Sequence, residues 1–326
     1  MSEILLEVKN LEVSFDTNDG KLKSVNRVSF NINKGETLGV VGESGCGKSV
    51  TAMSIMKLLP TPPALYEGGE ILFKGKNTLS LNNKELRNVR GNEISMVFQE
   101  PMSSLNPAFT VGHQIDEAIL EHNKISKGKA KDNSIELIKR VGIARAEEVY
   151  KSYPHELSGG MIQRIMIAIA LSCNPQLIIA DEPTTALDVT IQAQILDIMN
   201  DIKSTSDTSI MMITHDLGVV SEVCDRVIVM YAGVVVETAN CIDLFKNAKH
   251  PYTVGLLRSK PTIGGNNDVR LHSIPGKVPN LIGIGECCYF HDRCEFATEK
   301  CKTQSPPKVQ IENNHEVSCW LYEGEI

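Results

Sequence analysis

The 326-residue chain lacks the features typical of membrane-spanning, secreted or nucleic-acid-binding proteins. No apolar run approaches the roughly 20 residues that a membrane-spanning helix needs. The opening residues, MSEILLEVKN, show no basic stretch followed by an apolar one, so we expect no secretory signal. The formal charge is −7 and no long basic run is present, which argues against a nucleic-acid surface. A protein of this kind that serves a membrane is expected to dock onto other chains.

The nine cysteines are unevenly placed: four are scattered, and five lie within the last 40 residues. Cytosolic chains seldom use disulfides, so clustered cysteines there indicate metal binding rather than bridges. The change in composition predicts a separate C-terminal module, and the length allows one large domain or two ordinary ones. The clustered residues are Cys287, Cys288, Cys294, Cys301 and Cys319.

Strand and helix patterns alternate along the first 240 residues. Alternating apolar and polar positions predict two strands before residue 33, and short apolar runs predict four buried strands further on. Helical patterns lie between these runs, so βαβ units and a mostly parallel sheet are expected. The segment from about 100 to 158 is predicted to be a helical insertion. Beyond about residue 240 prolines are frequent, and we expect irregular structure.

Residues 42–49, GESGCGKS, fit the phosphate-loop pattern GxxxxGK[ST] and lie between a predicted strand and a predicted helix. Glycines let backbone N–H groups converge on phosphate oxygens, and the start of the helix adds partial positive charge. Lys48 should reach the β- and γ-phosphates, and the Ser49 hydroxyl should bind Mg²⁺. The expected ATP-binding residues of this loop are Gly42, Glu43, Ser44, Gly45, Cys46, Gly47, Lys48, Ser49 and Val50.

Two carboxylates, Asp181 and Glu182, follow the apolar run at 177–180. Asp181 is placed to hold Mg²⁺, directly or through water, and Glu182 to polarise the attacking water. Alone, an Asp-Glu pair after a strand is a weak signal, because a solvated turn has the same pattern. Combined with the phosphate loop, it indicates a P-loop nucleotidase.

The motif LSGG, formed by Leu157, Ser158, Gly159 and Gly160, narrows the class of nucleotidase. A serine and two glycines that open a helix form a second anion site, although an ordinary helix start has the same pattern. Together with the other motifs, LSGG resembles the signature of ABC-family ATPases, and the resemblance covers residues 1 to about 240. It implies that LSGG caps the γ-phosphate bound by an opposite subunit, so that ATP joins two cassettes head to tail.

Further positions match the same family in order along the chain. Phe15 matches the aromatic residue that stacks on adenine, although a core phenylalanine in a strand has the same pattern. Gln99 matches the glutamine that senses Mg²⁺ and the attacking water, so it joins the two Mg²⁺ ligands named above. Asp188 matches the loop that communicates between cassettes, and His215 the histidine that contacts the γ-phosphate. By this resemblance the catalytic residues are Glu182, Gln99 and His215.

Within the ABC family, several stretches resemble the cassettes of dipeptide and oligopeptide importers. These are VGES at 41–44, VFQEPMSSLNP at 97–107, YPHELSGGM at 153–161, HPYT at 250–253 and CYFHDRC at 288–294. The tail resembles the C-terminal domain of these importers, in which four cysteines hold a [4Fe–4S] cluster. Carried over by position, the ligands are Cys288, Cys294, Cys301 and Cys319, with Cys287 as an extra neighbouring thiol.

The residues alone do not distinguish iron–sulfur from zinc. Their spacing matches neither the common zinc sites nor the ferredoxins, and four soft thiolates suit both metals. Reduced structural cysteines are the third alternative. A bound metal would hold together a module too small to fold well on its core alone.

The predicted fold is therefore α/β: a P-loop, RecA-like core with an antiparallel β subdomain and a helical insertion, plus a small irregular C-terminal metal-binding domain. The ATP-binding cassette is expected over residues 1–240 and the C-terminal domain over 241–326.

The resemblance implies that ATP hydrolysis powers import of dipeptides or oligopeptides, with the chain bound peripherally to the cytoplasmic face of the cell membrane. The implied partners are two transmembrane permease subunits, a second ATP-binding subunit that is related but different, and an extracellular or periplasmic binding protein. No nucleic acid is implied.

Three other functions compete with peptide import. The first is import of another cargo, such as nickel or haem. The second, a soluble ABC ATPase of DNA repair or translation, predicts a long coiled-coil insertion or a second cassette, which the sequence lacks. The third is a catalytically silent scaffold, against which the intact Glu182 and His215 argue.

Overall fold

The structure is a computed structural model that describes residues 3–185, 187–259, 273–312 and 314–324. The strands are β1 Ile4–Thr17, β2 Gly20–Asn33, β3 Thr37–Val41, β4 Ala64–Phe73, β5 Lys76–Asn77, β6 Ile94–Val97, β7 Leu177–Asp181, β8 Ser209–Ile213, β9 Arg226–Tyr231, β10 Val234–Asn240, β11 Lys308–Glu312 and β12 His315–Ser318. The helices are α1 Lys48–Ile55, α2 Asn83–Val89, α3 Pro101–Ser104, α4 Val111–His122, α5 Lys127–Arg140, α6 Ala146–Val149, α7 Gly159–Leu171, α8 Val189–Thr205, α9 Leu217–Val223, α10 Cys241–Asn247, α11 Pro251–Arg258 and α12 Glu299–Thr303. Over these ranges, every helix is too short or too polar to cross a membrane.

The described residues form two compact units. The first unit takes residues from Met1–Leu5, Ile32–Thr37 and Ser80–Ile213, and the second takes them from Leu6–Asn31, Leu38–Leu79 and Thr214–Ile326. The phosphate loop and the clustered cysteines therefore belong to the second unit, whereas the carboxylate pair and LSGG belong to the first.

The second unit contains an antiparallel sheet in the order β2-β1-β4-β5 and a run of strands in the order β11-β12-β10-β9-β3. Strand β3 pairs in parallel with β9, and all five β3 residues are buried. A short apolar run without alternation suits a strand covered on both faces, which is why the sequence predicts it correctly. This pairing fixes where the chain enters the phosphate loop.

Beyond residue 240 the structure differs from the irregular module that the sequence predicts. Helices α10, α11 and α12 form there, and the β11–β12 hairpin continues the sheet because β12 pairs antiparallel with β10. One misleading signal was proline: Pro251 is the first residue of α11, a position where proline favours a helix start. The prediction of irregular structure is therefore wrong for these segments.

A buried carboxylate joins the C-terminal hairpin to the rest of the second unit. Glu237 of β10 accepts hydrogen bonds from the N–H groups of Lys249 (2.6 Å) and His250 (2.9 Å), and lies 2.8 Å from Nε2 of His315. Burial alone would raise the pKa of Glu237, but these bonds, that of His315 foremost, outweigh it and lower the pKa. The ionised carboxylate therefore holds α11 and β12 to one strand.

The first unit contains the parallel strands β8-β7-β6 and the helices α3 to α8. The predicted helical insertion at about 100–158 is present as α3 to α6. Its helices meet at Asp116 of α4, which accepts hydrogen bonds from Ser134 Oγ of α5 (2.6 Å) and Tyr150 Oη (2.5 Å). Burial and this bond raise the pKa of Tyr150 to about 12, so its hydroxyl remains a donor at neutral pH.

Replacing Tyr150→Phe removes one donor from a charged acceptor between helices. We expect the free energy of unfolding to fall by about 1–2 kcal/mol, the usual contribution of such a bond. Urea denaturation followed by circular dichroism measures the loss. Tyr153→Phe, at a ring that is 40% exposed, is the control and should unfold like the wild type; an equal loss in both variants would refute the role of Asp116.

Candidate functional site

The phosphate loop connects β3 to α1, and at two of its glycines there is no room for a side chain. Gly42 and Gly47 have φ values of 155° and 96°. A Cβ at Gly42 would lie 2.1 Å from the carbonyl oxygen of Met230, and one at Gly47 would lie 2.5 Å from that of Ser24. The loop thus needs glycine both for its backbone angles and for its close approach to neighbouring backbone.

The ammonium group of Lys48 lies against this loop. Its Nζ donates hydrogen bonds to the carbonyl oxygens of Gly42 (2.8 Å) and Glu43 (3.0 Å), and the residue is only 5% exposed. Helix α1 begins at Lys48, so its unpaired N–H groups open toward the loop, and Ser49 follows, half-buried. A cation and a helix N-terminus at one loop provide the expected binding site for a phosphate chain.

Glu43 of the loop is held by two residues from the C-terminal part of the second unit. Its backbone N–H donates to Tyr252 Oη (2.8 Å), and its carboxylate accepts two bonds from Arg293, at 2.8 and 3.0 Å. No sequence motif marks Tyr252 or Arg293 by itself as functional, although both lie in stretches, 250–253 and 288–294, that resemble peptide importers. The sequence alone does not show that these stretches contact the loop.

In the first unit, the structure brings Gln99 and Glu182 together. Asp181 ends β7 and is 3% exposed, and Glu182 follows it with a φ of 48°. Glu182 Oε2 accepts hydrogen bonds from Gln99 Nε2 (3.1 Å) and Thr185 Oγ1 (2.9 Å). Thr185 was missed by sequence analysis, because a threonine three residues after a carboxylate is too common to be a signal. This arrangement fixes the carboxylate at the end of the strand.

The LSGG motif forms the N-terminus of α7, as expected. Ser158 is the capping residue, and its Oγ accepts the N–H of Met161 at 3.4 Å. A Cβ at Gly160 would lie 2.9 Å from a methyl group of Ile191, so the start of α7 packs tightly against α8. Asp188 caps α8 by accepting the N–H of the same Ile191 at 3.0 Å. The signature and the Asp188 loop are therefore neighbours.

Two further predicted positions lie in the second unit. His215 is exposed and precedes Asp216, which caps α9 by accepting the N–H of Gly218 at 2.8 Å. Phe15 lies in β1 opposite Ala64 of β4 and is only half-buried. Phe15 is thus not a fully enclosed core residue.

The four cysteines assigned to a cluster line one cavity of about 240 Å³, together with Phe290, Trp320 and other side chains. Cys287 does not line this cavity. Burial raises the pKa of Cys288 to about 12 and that of Cys319 to about 11, so both are thiols at neutral pH unless a cation binds. Among the described residues, no group of three or more His, Cys, Asp or Glu side chains is arranged to hold a metal ion.

Two family models match the sequence. The model of the ABC transporter family matches residues 25–185, which include the phosphate loop, LSGG and the carboxylate pair. The model of the oligopeptide/dipeptide transporter C-terminal region matches residues 236–301. The chain belongs to the ABC transporter family. As an ABC ATPase it hydrolyses ATP, and the family implies Mg²⁺ as cofactor and membrane permeases as partners.

Characterised relatives match this ABC protein over nearly its whole length. It is 52% identical to the oligopeptide transport ATP-binding protein OppD of Bacillus subtilis, over 97% of this chain and 88% of that one. It is 50% identical to the dipeptide transport ATP-binding protein DppD of the same organism, over 98% and 95%.

A solved structure supports the fold assignment. The dimeric post-hydrolysis state of the ATP-binding cassette MJ0796, bound to ADP and Pi, matches with a TM-score of 0.66 and 26% identity, over 72% of this chain and 98% of that one. The α/β P-loop fold with its antiparallel sheet and helices is thereby confirmed.

The close approach of the loop to Met230 can be tested with Gly42→Ala. The added Cβ would force the loop away from its position, and we expect affinity for ATP to fall at least about a hundredfold. Isothermal titration calorimetry measures the dissociation constant for ATP. Gly35→Ala is the control: Gly35 also has a positive φ, of 72°, but nothing lies within 4 Å of its added Cβ. Equal ATP affinity in the two variants would contradict the importance of this contact.

Proposed function

We propose that this protein is the ATP-hydrolysing subunit of an importer that carries dipeptides or oligopeptides across the cell membrane. The proposal is carried by one combination: a phosphate loop with a buried lysine, in a chain that also matches the oligopeptide/dipeptide transporter C-terminal region. The similarity to OppD, an oligopeptide transport ATP-binding protein, and to DppD, a dipeptide transport ATP-binding protein, supports the peptide cargo. Nickel or haem is the alternative cargo.

In the proposed mechanism the second unit binds the nucleotide. The N–H groups of loop 42–50 receive the phosphates and Lys48 neutralises the β- and γ-phosphates. Ser49 would provide an oxygen ligand to Mg²⁺, and Phe15 would stack on adenine. His215 contacts the γ-phosphate.

The first unit supplies the hydrolytic residues. Asp181 and Gln99 would hold Mg²⁺, and Glu182 would polarise the attacking water. The hydrogen bonds that Gln99 and Thr185 donate to Glu182 support this role, because they orient its carboxylate before substrate arrives. Glu182, Gln99 and His215 form the proposed catalytic set.

We further propose that two cassettes close on ATP. Ser158, Gly159 and Gly160, which follow Leu157, would cap the γ-phosphate bound by the opposite subunit. Asp188 would belong to the loop that communicates between the two cassettes. The start of α7 supports this role, because the two glycines there have no side chain that would keep an anion away from the N–H groups. The dimer formed by the cassette MJ0796 supports the pairing of two cassettes. Here the second subunit would be a related, different chain.

The proposed membrane partners are two permease subunits, served outside by a substrate-binding protein. The chain would lie peripherally on the cytoplasmic face, and the loop after Gln99 with the helical insertion would form the docking surface. Phe98, Phe109 and Tyr153, each 40–44% exposed, support an interface there. The cassette would extend over 1–240, with the helical subdomain at about 100–158, and the C-terminal domain over 241–326.

We also propose that the cavity lined by Cys288, Cys294, Cys301 and Cys319 holds a [4Fe–4S] cluster, with zinc as the alternative. A single zinc ion needs its ligands within about 2.3 Å of one point. A cluster instead takes its four thiolates at separate corners, so thiols spread around one cavity fit it better. The position of Cys288, which unlike Cys287 lines this cavity, supports its choice as ligand. The role proposed for the cluster is structural.

Replacing Glu182→Gln keeps the size of the side chain but removes its negative charge. We expect ATP turnover to fall at least about a hundredfold while the dissociation constant for ATP stays unchanged. In cells that carry only this variant, uptake of labelled dipeptides and oligopeptides should stop. Unchanged turnover would sink the assignment of Glu182, and lost nickel or haem uptake with normal peptide uptake would sink the peptide cargo.

The cluster is tested by metal analysis of anaerobically purified protein. The wild type should contain about four irons and four sulfides per chain, and Cys288→Ser should lose them. Cys287→Ser, at the adjacent thiol outside the cavity, is the matched control and should keep them. Zinc alone, no metal, or equal loss in both variants would refute the proposed ligand set.

A further inference from the structure

Glu43 places a carboxylate inside a loop that binds an anion. It is the second residue of the phosphate loop, after Gly42. An uncompensated negative charge there would repel the phosphate chain of ATP, and repulsion is strong where water is partly excluded. The loop therefore needs a partner that both neutralises this carboxylate and determines where it points.

Arg293 meets both needs. Its Nη1 and Nη2 donate to the two carboxylate oxygens of Glu43 at 2.8 and 3.0 Å, a bidentate pair in which the arginine side chain is only 5% exposed. A two-bond fork fixes the orientation of the carboxylate as well as its charge, which a single lysine ammonium cannot do.

The guanidinium of Arg293 is itself held in place. Its Nε donates to the carbonyl of Pro275 (2.9 Å), and its two terminal nitrogens also reach Tyr231 Oη (3.3 Å) and the carbonyl of Ile274 (3.4 Å). With the two bonds to Glu43, these contacts use all five N–H donors of an arginine. The fork is thus fixed by the fold of the second unit and does not depend on a flexible side chain.

The ion pair reaches Lys48 through the backbone of Glu43. The N–H of Glu43 donates to the buried Tyr252, and its carbonyl accepts from Lys48 Nζ at 3.0 Å. Side chain, N–H and carbonyl of one residue are therefore all engaged. Release of the side chain removes one of the three contacts that hold Glu43, the residue whose carbonyl accepts from the ammonium of Lys48.

We propose that Arg293 is a positioning residue for ATP binding, which fixes the phosphate loop through Glu43 and cancels the charge of that carboxylate. This inference rests on the proposed function, in that the loop binds ATP. Arg293 acts on the loop and not on the reacting phosphate, so its loss weakens binding more than it slows the chemical step.

The test measures binding of the fluorescent analogue mant-ATP to the full chain, without Mg²⁺ so that no hydrolysis occurs. Arg293→Met should raise the dissociation constant about tenfold, because the loop is freed and the charge of Glu43 is exposed. Adding Glu43→Gln to Arg293→Met should restore part of the affinity, since the repelling charge is removed. A purely structural role predicts no such recovery. Arg293→Lys should lie between Arg293→Met and the wild type.

Arg27→Met is the matched control. Arg27 also pairs with a carboxylate of the C-terminal part, Glu286 at 3.3 Å, but both side chains are more than half exposed and neither belongs to the phosphate loop. Its mant-ATP affinity should equal that of the wild type. Thermal unfolding of each variant shows whether the chain is folded, and if Arg293→Met is not, Arg293→Lys takes its place with an expected rise of more than about twofold.

A folded Arg293 variant that binds mant-ATP as tightly as the wild type would overturn the inference. If Arg293→Met combined with Glu43→Gln binds mant-ATP no better than Arg293→Met alone, the claim that Arg293 cancels the charge of Glu43 would be overturned. A wild type that binds no mant-ATP even after Mg²⁺ is added would instead overturn the proposed function, so the two failures are distinguishable.

Discussion

The approach of the phosphate loop to neighbouring backbone is the constraint on which the rest of the second unit depends. A loop that gathers N–H groups around an anion must have no side chains on its inner surface. At Gly42 this requirement is strict because the carbonyl of Met230 would lie 2.1 Å from any Cβ. Met230 belongs to β9, which pairs with β3, so the sheet that carries the loop also limits its shape. Nucleotide binding and core packing thus share the same few residues.

The C-terminal part of the chain contributes to the same loop. Tyr252 and Arg293 both bond to Glu43, and the buried Glu237 attaches α11 and β12 to β10. The region that matches the oligopeptide/dipeptide transporter model is therefore not a passive appendage to the ATP-binding fold. It supplies contacts that a cassette without this region would have to replace by other means.

The sequence predicts well those features whose physics is local. The phosphate loop, the LSGG helix start and the buried β3 can each be inferred from contiguous residues, because glycine angles, helix caps and apolar runs act over short distances. Contacts between distant segments are different. The pair of Glu43 and Arg293 spans 250 residues, and no periodicity encodes it. Pro251 misled because the same residue can interrupt a helix or begin one.

The separation of Glu43 from Arg293 also bears on the order in which the chain is made. The ribosome completes the phosphate loop 250 residues before it adds the arginine that fixes it. At usual rates of translation this interval lasts roughly 12 to 50 s. During that time the nascent loop has its glycines and its lysine, but the carboxylate between them has no counter-charge. On the role proposed for Arg293, the loop acquires its final form only after this arginine has been added, so a nascent chain that stops short of it would bind cellular ATP less tightly.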